Sequence, residues 1–484
     1  MRPLRLGEVM RSVPAQAASL NVAGITADSR AVAPDYVFAA LPGTRQDGRR
    51  FIADAVSKGA CAVLAPRGTV WPPGVPPRPL IEAEEPRREL ALMAARLAGQ
   101  QSAHIAAVTG TNGKTSTVDF LRQIWTLGGK QAASLGTLGL IAPGMPKGEG
   151  LTTPDPVTLA QTLAKLRRAG ISHAVMEASS HGLNQFRLDG VRLEAAAFTN
   201  LTRDHLDYHR DMEAYRRAKL RLFNELLPAG AVAVVSCELD APTLAALRDI
   251  AKRRRLRLRV VGEGGDFIRL LSATPRPDGQ ELVVEAEGVR RRILLPLPGR
   301  FQADNVLVAV ALAQATGKAD ALDSAPRLAG VRGRLELAAR LPNGAAVYVD
   351  YAHTPDALVR LLTALRPHAE GRLHVVFGAG GDRDPGKRPL MGEAAARHAD
   401  VVVVTDDNPR SEDPAAIRRA VLAGAPYARD GGAREAAIAS AMADLRSGDV
   451  LAVAGKGHEQ GQTIAGETLP FDDVAVVRRL AGLV

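Results

Sequence analysis

Short apolar runs alternate with longer stretches of helical spacing along nearly the whole 484-residue chain. That alternation predicts an α/β fold with largely parallel sheets, because a helix is what returns the chain to start a parallel neighbour. Strands are expected at Ile105–Val108, Ala174–Glu177, Ala195–Phe198, Ala231–Val235, Ala346–Val349, His374–Phe377, Val401–Val404 and Val450–Val453. Helices are expected over Arg87–Ala98 and after Lys114, where Val118, Leu121 and Trp125 share a face. A chain this long exceeds one core, so several domains are expected. The boundaries predicted are 1–100 for a small α/β N-terminal domain, 101–331 for a central domain with a mostly parallel sheet, and 332–484 for a Rossmann-like C-terminal domain. A Pro-rich segment, Trp71–Pro77, lies near the end of the first. Gly330-Val331-Arg332-Gly333-Arg334 reads as a hinge before the third.

Charge adds a direction. The chain has 62 Lys and Arg against 52 Asp and Glu, a net charge of +10, which suits anionic substrates or nucleic acid. The densest basic run, Lys252–Arg259, contains no aromatic residue to stack on a base, so a solvated face is the better reading. The two cysteines, Cys61 and Cys237, are far apart and fit no disulfide framework or zinc spacing. No apolar run approaches the roughly 18 residues of a membrane span, and no signal-peptide core is present at the start. The expectation is a cytoplasmic monomer acting on small molecules, without nucleic-acid or membrane partners.

The richest chemistry lies in Gly110-Thr111-Asn112-Gly113-Lys114-Thr115-Ser116, between the strand Ile105–Val108 and a helix. Strand, glycine loop and helix N-terminus form an anion cradle, with backbone N–H groups and the helix dipole facing the charge. Lys114 would reach terminal phosphates and Thr115 would offer a hydroxyl to Mg²⁺. A nucleoside triphosphate is therefore expected. The spacing GxxGKT is tighter than the common GxxxxGK[ST] loop.

Glu177, at the end of its strand, is either a Mg²⁺ ligand or a capping glutamate. The segment Asn200–His209 holds Asp204, His205, Asp207 and His209, dense enough to favour a metal or catalytic loop over a polar turn. Lys219 lies among apolar neighbours on the following helix, where the residues alone predict a snorkelling surface lysine.

Thr109–Ser116, Glu177–Gly182, Asn200–His209 and Lys219 together resemble the Mur ligase family, ATP-dependent amide-forming enzymes of peptidoglycan stem-peptide synthesis related to folylpolyglutamate synthase. The N-terminal Asp28-Ser29-Arg30, with Pro34, Phe38, Gly43 and Asp47-Gly48, resembles the uridine-nucleotide domain of the third-step enzymes. Asp407-Asn408-Pro409-Arg410 resembles the signature of the branch that adds meso-diaminopimelate. The resemblance implies a UDP-sugar dipeptide substrate, an acyl-phosphate intermediate, ATP as co-substrate, Mg²⁺, and CO₂ to carbamylate Lys219. It implies metal-site roles for Thr115, Glu177, His205 and Lys219, with Lys114, Lys219 and His205 catalytic. ATP would be held by the loop 110–116 together with Asn305, Arg334, Asp350 and His353. The dipeptide would meet Ser29, Thr152, Thr153, Ser179, Gln185 and Arg187, although the two threonines could equally cap the helix after Pro154. Diaminopimelate would meet Arg383, Asp407, Asn408, Pro409, Arg410, Gly455 and Glu459. Gln302 and Ala379 stand where the family often has Asn and Cys.

Overall fold

A computed structural model describes residues 4–10, 13–43, 46–146, 148, 150–206, 208–276 and 279–483. The chain divides into two compact units. One comprises Met1–Val261 with Val308–Ala321, the other Gly262–Leu307 with Leu322–Val484.

The first unit contains two sheets. A small parallel sheet runs in the order Gly24–Thr26, Tyr36–Ala39, Ala62–Pro66, Leu80–Ala83. Its residues alternate between two cores, with Val37, Ala39 and Leu64 on one face and Phe38, Ala40 and Val63 on the other. The larger sheet runs Arg257–Gly262, Val232–Ser236, Ala195–Phe198, His104–Thr109, His173–Glu177, Ala132–Gly136, Gly139–Ile141. All its pairs are parallel except the last, a hairpin. His104–Thr109 starts the chain's path through this sheet, and later strands are added on both of its sides. The loops after it and its two neighbours therefore converge, as ligand loops do at a switch point. The helix Lys114–Leu127 packs on strands Ala132–Gly136 and His173–Glu177 and buries Phe120, Leu121, Ile124 and Trp125. The Trp125 indole donates to Thr316 Oγ1 at 3.0 Å. The basic run ends the helix Ala241–Arg254 and enters the strand Arg257–Gly262, with Lys252, Arg253, Arg255 and Arg257 exposed, as a solvated face requires.

The second unit has an antiparallel three-stranded sheet, Ile268–Arg276, Gly279–Ala286 and Val289–Leu295. It also has a six-stranded sheet ordered Glu336–Arg340, Ala346–Asp350, Val450–Ala454, Leu373–Phe377, Val401–Thr405, Arg429–Gly432. Only the first of these strands is antiparallel to its neighbour. Residues of the central strands alternate between two cores. Tyr348, Val375, Phe377 and Val404 face one core with Leu358, Leu362 and Met391, while Val349, Val376, Val403 and Val453 face another with Ile438 and Val477. Helices therefore cover both faces, the three-layer doubly wound arrangement. Arg434 and Asp473, both fully buried, tie the second face by paired bonds of 2.7 Å, and Arg434 also donates to Ala454 O at 3.0 Å. Removing one partner strands the other charge. Asp473→Ala is expected to cost about 3–5 kcal/mol in denaturant unfolding, and a loss below about 1 kcal/mol would contradict this reading. Among the described residues no helix is long and apolar enough to cross a membrane.

Candidate functional site

In the first unit the glycine loop is built by its neighbours. Gly110 approaches the next strand end so closely that a Cβ there would lie 1.9 Å from Thr199 Oγ1. Gly113 adopts φ 83° where the helix begins. The segment after Phe198 braces the loop. Thr199 Oγ1 donates to Asn112 O (2.6 Å), Thr111 N donates to Asn200 O (2.8 Å), and Asn112 N donates to Asn200 Oδ1 (2.9 Å). Thr111 Oγ1 lies 3.2 Å from the Tyr215 hydroxyl. Lys114 Nζ donates to the loop carbonyls of Gly110 and Thr111, both at 2.9 Å. Ser116 is buried in the first helical turn.

Lys219 is not a surface lysine. It is 1% exposed and donates to Gly110 O at 2.7 Å, with its ammonium 4.6 Å from the Tyr215 ring centre. Burial, then the nearby Lys114 charge, holds its pKa well below the ordinary lysine value of 10.5. The snorkelling reading fails because this helix packs its last turns inward, with Tyr215, Ala218 and Leu220 also buried. His205 has φ 53° and places its ring 5.0 Å from His181 and 6.2 Å from Tyr215. Asp207 lies outside the described residues.

Glu177 makes a second focus. Its Oε1 accepts from Thr115 Oγ1 (3.0 Å) and Thr137 N (2.8 Å), and its Oε2 accepts from Thr137 Oγ1 (3.2 Å). Thr137 Oγ1 in turn lies 3.1 Å from Thr152 Oγ1. Glu177 O accepts from Thr153 Oγ1 (2.9 Å), which also pairs with Ser179 Oγ (3.0 Å). Arg187 donates to Thr153 O at 2.6 Å and to Gln185 Oε1 at 2.7 and 3.2 Å. Thr115, Glu177, Thr152, Thr153, Ser179, Gln185 and Arg187 thus form one continuous network. Ser29 belongs to a different neighbourhood: its carbonyl accepts from Lys58 Nζ at 3.0 Å, and that ammonium also donates to Asp54 at 3.0 Å. Thr137, the clamp on both Glu177 oxygens, was missed in the sequence reading, since a lone threonine after a strand carries no distinguishing signal. Among the described residues no three His, Cys, Asp or Glu side chains gather into a metal-holding group. Of the four expected metal residues, Thr115 and Glu177 are hydrogen-bonded to each other, whereas Lys219 sits on Gly110 O and His205 lies against His181 and Tyr215.

The second unit carries two further clusters at the carboxyl ends of its strands. Asp350 accepts from Leu335 N (2.7 Å) and Ala352 N (2.8 Å). Burial pushes its carboxyl up, against the pull of Arg334. The Arg334 guanidinium stacks 4.7 Å from the Tyr351 ring centre, and its Nε is buried without a hydrogen-bond partner among the described residues. Gln302, the departure from the family's usual Asn, joins Asn305 (3.2 Å) to Arg334 O (3.4 Å). His353 Nδ1 lies 2.8 Å from Tyr351 O.

The other cluster gathers the Asp407–Arg410 segment. Asp407 is nearly buried, and its Oδ2 has no hydrogen-bond partner among the described residues. A Cβ on Gly455 would lie 2.5 Å from that oxygen. Asn408 donates to Glu459 Oε2 at 3.0 Å, and Gly381 N donates to Asn408 O at 2.9 Å. Pro409 leads into Arg410, which has φ 55° and donates from Nη1 to Gly381 O at 2.6 Å. Arg383 is exposed in the loop after Gly381. Ala379 is buried in the core, so its replacement of cysteine removes no exposed thiol. Lys456, fully buried between Asn408 and Glu459, is a residue the sequence reading passed over although it lies between two glycines at a strand end.

Three family models match in succession: the Mur ligase family catalytic domain over residues 21–106, the Mur ligase middle domain over 108–313, and the Mur ligase glutamate ligase domain over 333–457. The chain belongs to the Mur ligase family. This Mur ligase is 56% identical over 463 residues to a Caulobacter vibrioides protein named UDP-N-acetylmuramoyl-L-alanyl-D-glutamate–2,6-diaminopimelate ligase, covering 94% of each chain. It is 53% identical over 465 residues to a Mesorhizobium japonicum protein of the same name, covering 95% of each. A solved structure under that name is 32% identical with a TM-score of 0.75, covering 99% of both chains. A Thermotoga maritima ligase solved with ADP, at 20% identity and TM-score 0.60, shares the fold.

Proposed function

We propose that this Mur ligase joins meso-2,6-diaminopimelate to the D-Glu carboxylate of UDP-N-acetylmuramoyl-L-Ala-D-Glu, with ATP as co-substrate, in cytoplasmic peptidoglycan precursor synthesis. The observation that carries the reading is the Asp407–Arg410 cluster. It combines a guanidinium fork, an amide and an unpaired buried carboxylate oxygen, the donor and acceptor set that an amino acid with carboxylates and ammonium groups would satisfy. Identity above 50% to chains of that name supports it.

The chemistry follows from the residues. A substrate carboxylate oxygen attacks the γ-phosphorus of ATP, the bond to ADP breaks, and an acyl phosphate forms. Lys114, released from the Gly110 and Thr111 carbonyls, and the helix N-terminus would face the charge that moves to the leaving oxygens. The network Thr152–Thr153–Ser179–Gln185–Arg187 holds the dipeptide. The amine of diaminopimelate then attacks the acyl carbon, loses a proton, and phosphate leaves. Asn305, Arg334, Asp350 and His353 would contact the nucleotide.

Thr115 and Glu177 present hard oxygens suited to Mg²⁺, which when bound neutralises charge on the transferred phosphoryl group. Lys219 fits carbamylation: CO₂ reacts with a neutral amine, and burial beside Lys114 favours that form. His205, whose ring lies against His181 and Tyr215, would add a further metal contact. Ser29 would meet the uridine side. The domain roles proposed are 1–100 for the UDP-sugar, 101–331 for ATP and 332–484 for the amino acid, in a monomer without nucleic-acid or membrane partners.

Incubation with ATP, the UDP-sugar dipeptide and diaminopimelate is expected to yield ADP, phosphate and a product heavier by one diaminopimelate residue in mass spectrometry. Omitting any substrate should abolish it, and ATP hydrolysis indifferent to the dipeptide would overturn the reading. Gly110→Ala is expected to raise KM for ATP by about tenfold or more, because the added Cβ displaces the loop. An unchanged KM would contradict the close approach to Thr199.

A further inference from the structure

We propose that Lys456 is a positioning residue of the amino-acid pocket, fixing the Asn408 amide and the Glu459 carboxylate in the orientation that receives the incoming diamino acid. The inference rests on the reading of this pocket given above. Lys456 is 0% exposed. A buried ammonium is unfavourable unless it is paired and hydrogen-bonded. Its Nζ donates to Asn408 Oδ1 at 3.0 Å and to Glu459 Oε2 at 3.1 Å. Thr463 N also donates to Asn408 Oδ1, at 3.0 Å.

An ammonium and a backbone N–H can only donate, so the amide oxygen must face both. The Asn408 NH₂ is thereby turned toward Glu459 Oε2, 3.0 Å away. One of its two hydrogens makes that bond, and the other is available to a ligand carboxylate. Glu459 is likewise held through Oε2 by two donors, and its side chain stays 35% exposed. Lys456 has no surface of its own to offer a ligand. Its effect passes through the two residues it holds.

The backbone keeps Lys456 in place. A Cβ on Gly455 would lie 2.5 Å from Asp407 Oδ2, and Gly457, at φ 54°, would place one 2.8 Å from Gly333 O. Freed of Lys456, the amide oxygen keeps only the Thr463 N–H and the Glu459 carboxylate loses its buried counter-charge, so both side chains are held less firmly toward a ligand.

Lys456→Met keeps the stem and removes the ammonium. The variant is expected to raise KM for meso-diaminopimelate by about tenfold or more and to lose about tenfold of its discrimination against L-lysine, with KM for ATP and for the UDP-sugar dipeptide within about twofold of wild type. Lys456→Gln, which keeps one donor for Asn408 Oδ1, should fall between. An unchanged KM for diaminopimelate, or an equal loss toward all three substrates, overturns the inference. If the variants do not fold, a crystal structure of the wild-type enzyme with meso-diaminopimelate decides. Lys456 Nζ is expected to stay on Asn408 Oδ1 and Glu459 without touching the ligand, and a direct contact or a reversed amide overturns it. Wild-type enzyme unable to use diaminopimelate would overturn the functional reading itself, whereas normal wild-type use with an unchanged variant overturns this inference alone.

Discussion

Lys219→Met is expected to lower kcat by about 10³-fold or more while leaving the protein at least as stable as wild type. Stability follows from what surrounds the ammonium. The side chain is 1% exposed, and its one hydrogen-bond acceptor among the described residues, Gly110 O, also accepts from Lys114. Removing Lys219 therefore leaves that carbonyl paired and relieves a buried charge. The pH dependence has a definite sign. The folded-state pKa is depressed below 10.5 by burial and by Lys114, so between the two values the unfolded chain binds the extra proton. Wild-type stability rises with pH across that window. The advantage of Lys219→Met should be greatest below the folded pKa and shrink as pH rises toward 10.5. Thermal melts of both proteins at several pH values check this, and steady-state kinetics with and without added bicarbonate check the carbamate. A variant with near-normal turnover removes the catalytic role. A variant less stable at every pH removes the electrostatic account of the burial.

Arg410→Ala is expected to reduce kcat/KM for meso-diaminopimelate by about 10²-fold or more, with the KM values for ATP and for the UDP-sugar dipeptide nearly unchanged. The side chain is held at one end by its bond to Gly381 O and at the other by a backbone fixed on both sides. Arg410 N donates to Thr463 O at 3.0 Å, and Ala465 N donates to Arg410 O at 2.7 Å. Such a guanidinium reaches a carboxylate with little further ordering, which is where a planar fork gains over a flexible ammonium. Arg410→Lys keeps the charge and loses the fork, so it should recover only part of the loss. Equal activity of wild type and Arg410→Ala with diaminopimelate would contradict the pocket assignment.

Much of the architecture is legible in the sequence because apolar runs bounded by glycines and charges leave little choice of element. The strand expected over Ala195–Phe198 has those bounds, and the others shift by a residue or so at their ends. Strand order is another matter. The placement of His104–Thr109 between Ala195–Phe198 and His173–Glu177 depends on pairing between distant segments, and no local pattern encodes it. The glycine loop could be read because its spacing has a mechanism. Lys219 could not be read from the residues, since a lysine on an amphipathic helix is ordinarily exposed and only the resemblance singled it out. Thr137 and Lys456 were illegible for a related reason. Each acts by holding another side chain in place, and such partners meet only in three dimensions.

The central claim is the identity of the added amino acid, and it can be read directly from phosphate release. Wild-type enzyme with ATP and UDP-N-acetylmuramoyl-L-Ala-D-Glu would be given meso-diaminopimelate or L-lysine in parallel. Diaminopimelate carries a distal carboxylate for Arg410 that L-lysine lacks, and an unpaired buried site rejects an incomplete ligand strongly. Release with diaminopimelate at least about 10²-fold faster than with L-lysine, at equal concentration, is the expected result. Comparable release with both, or release with L-lysine alone, would contradict the account.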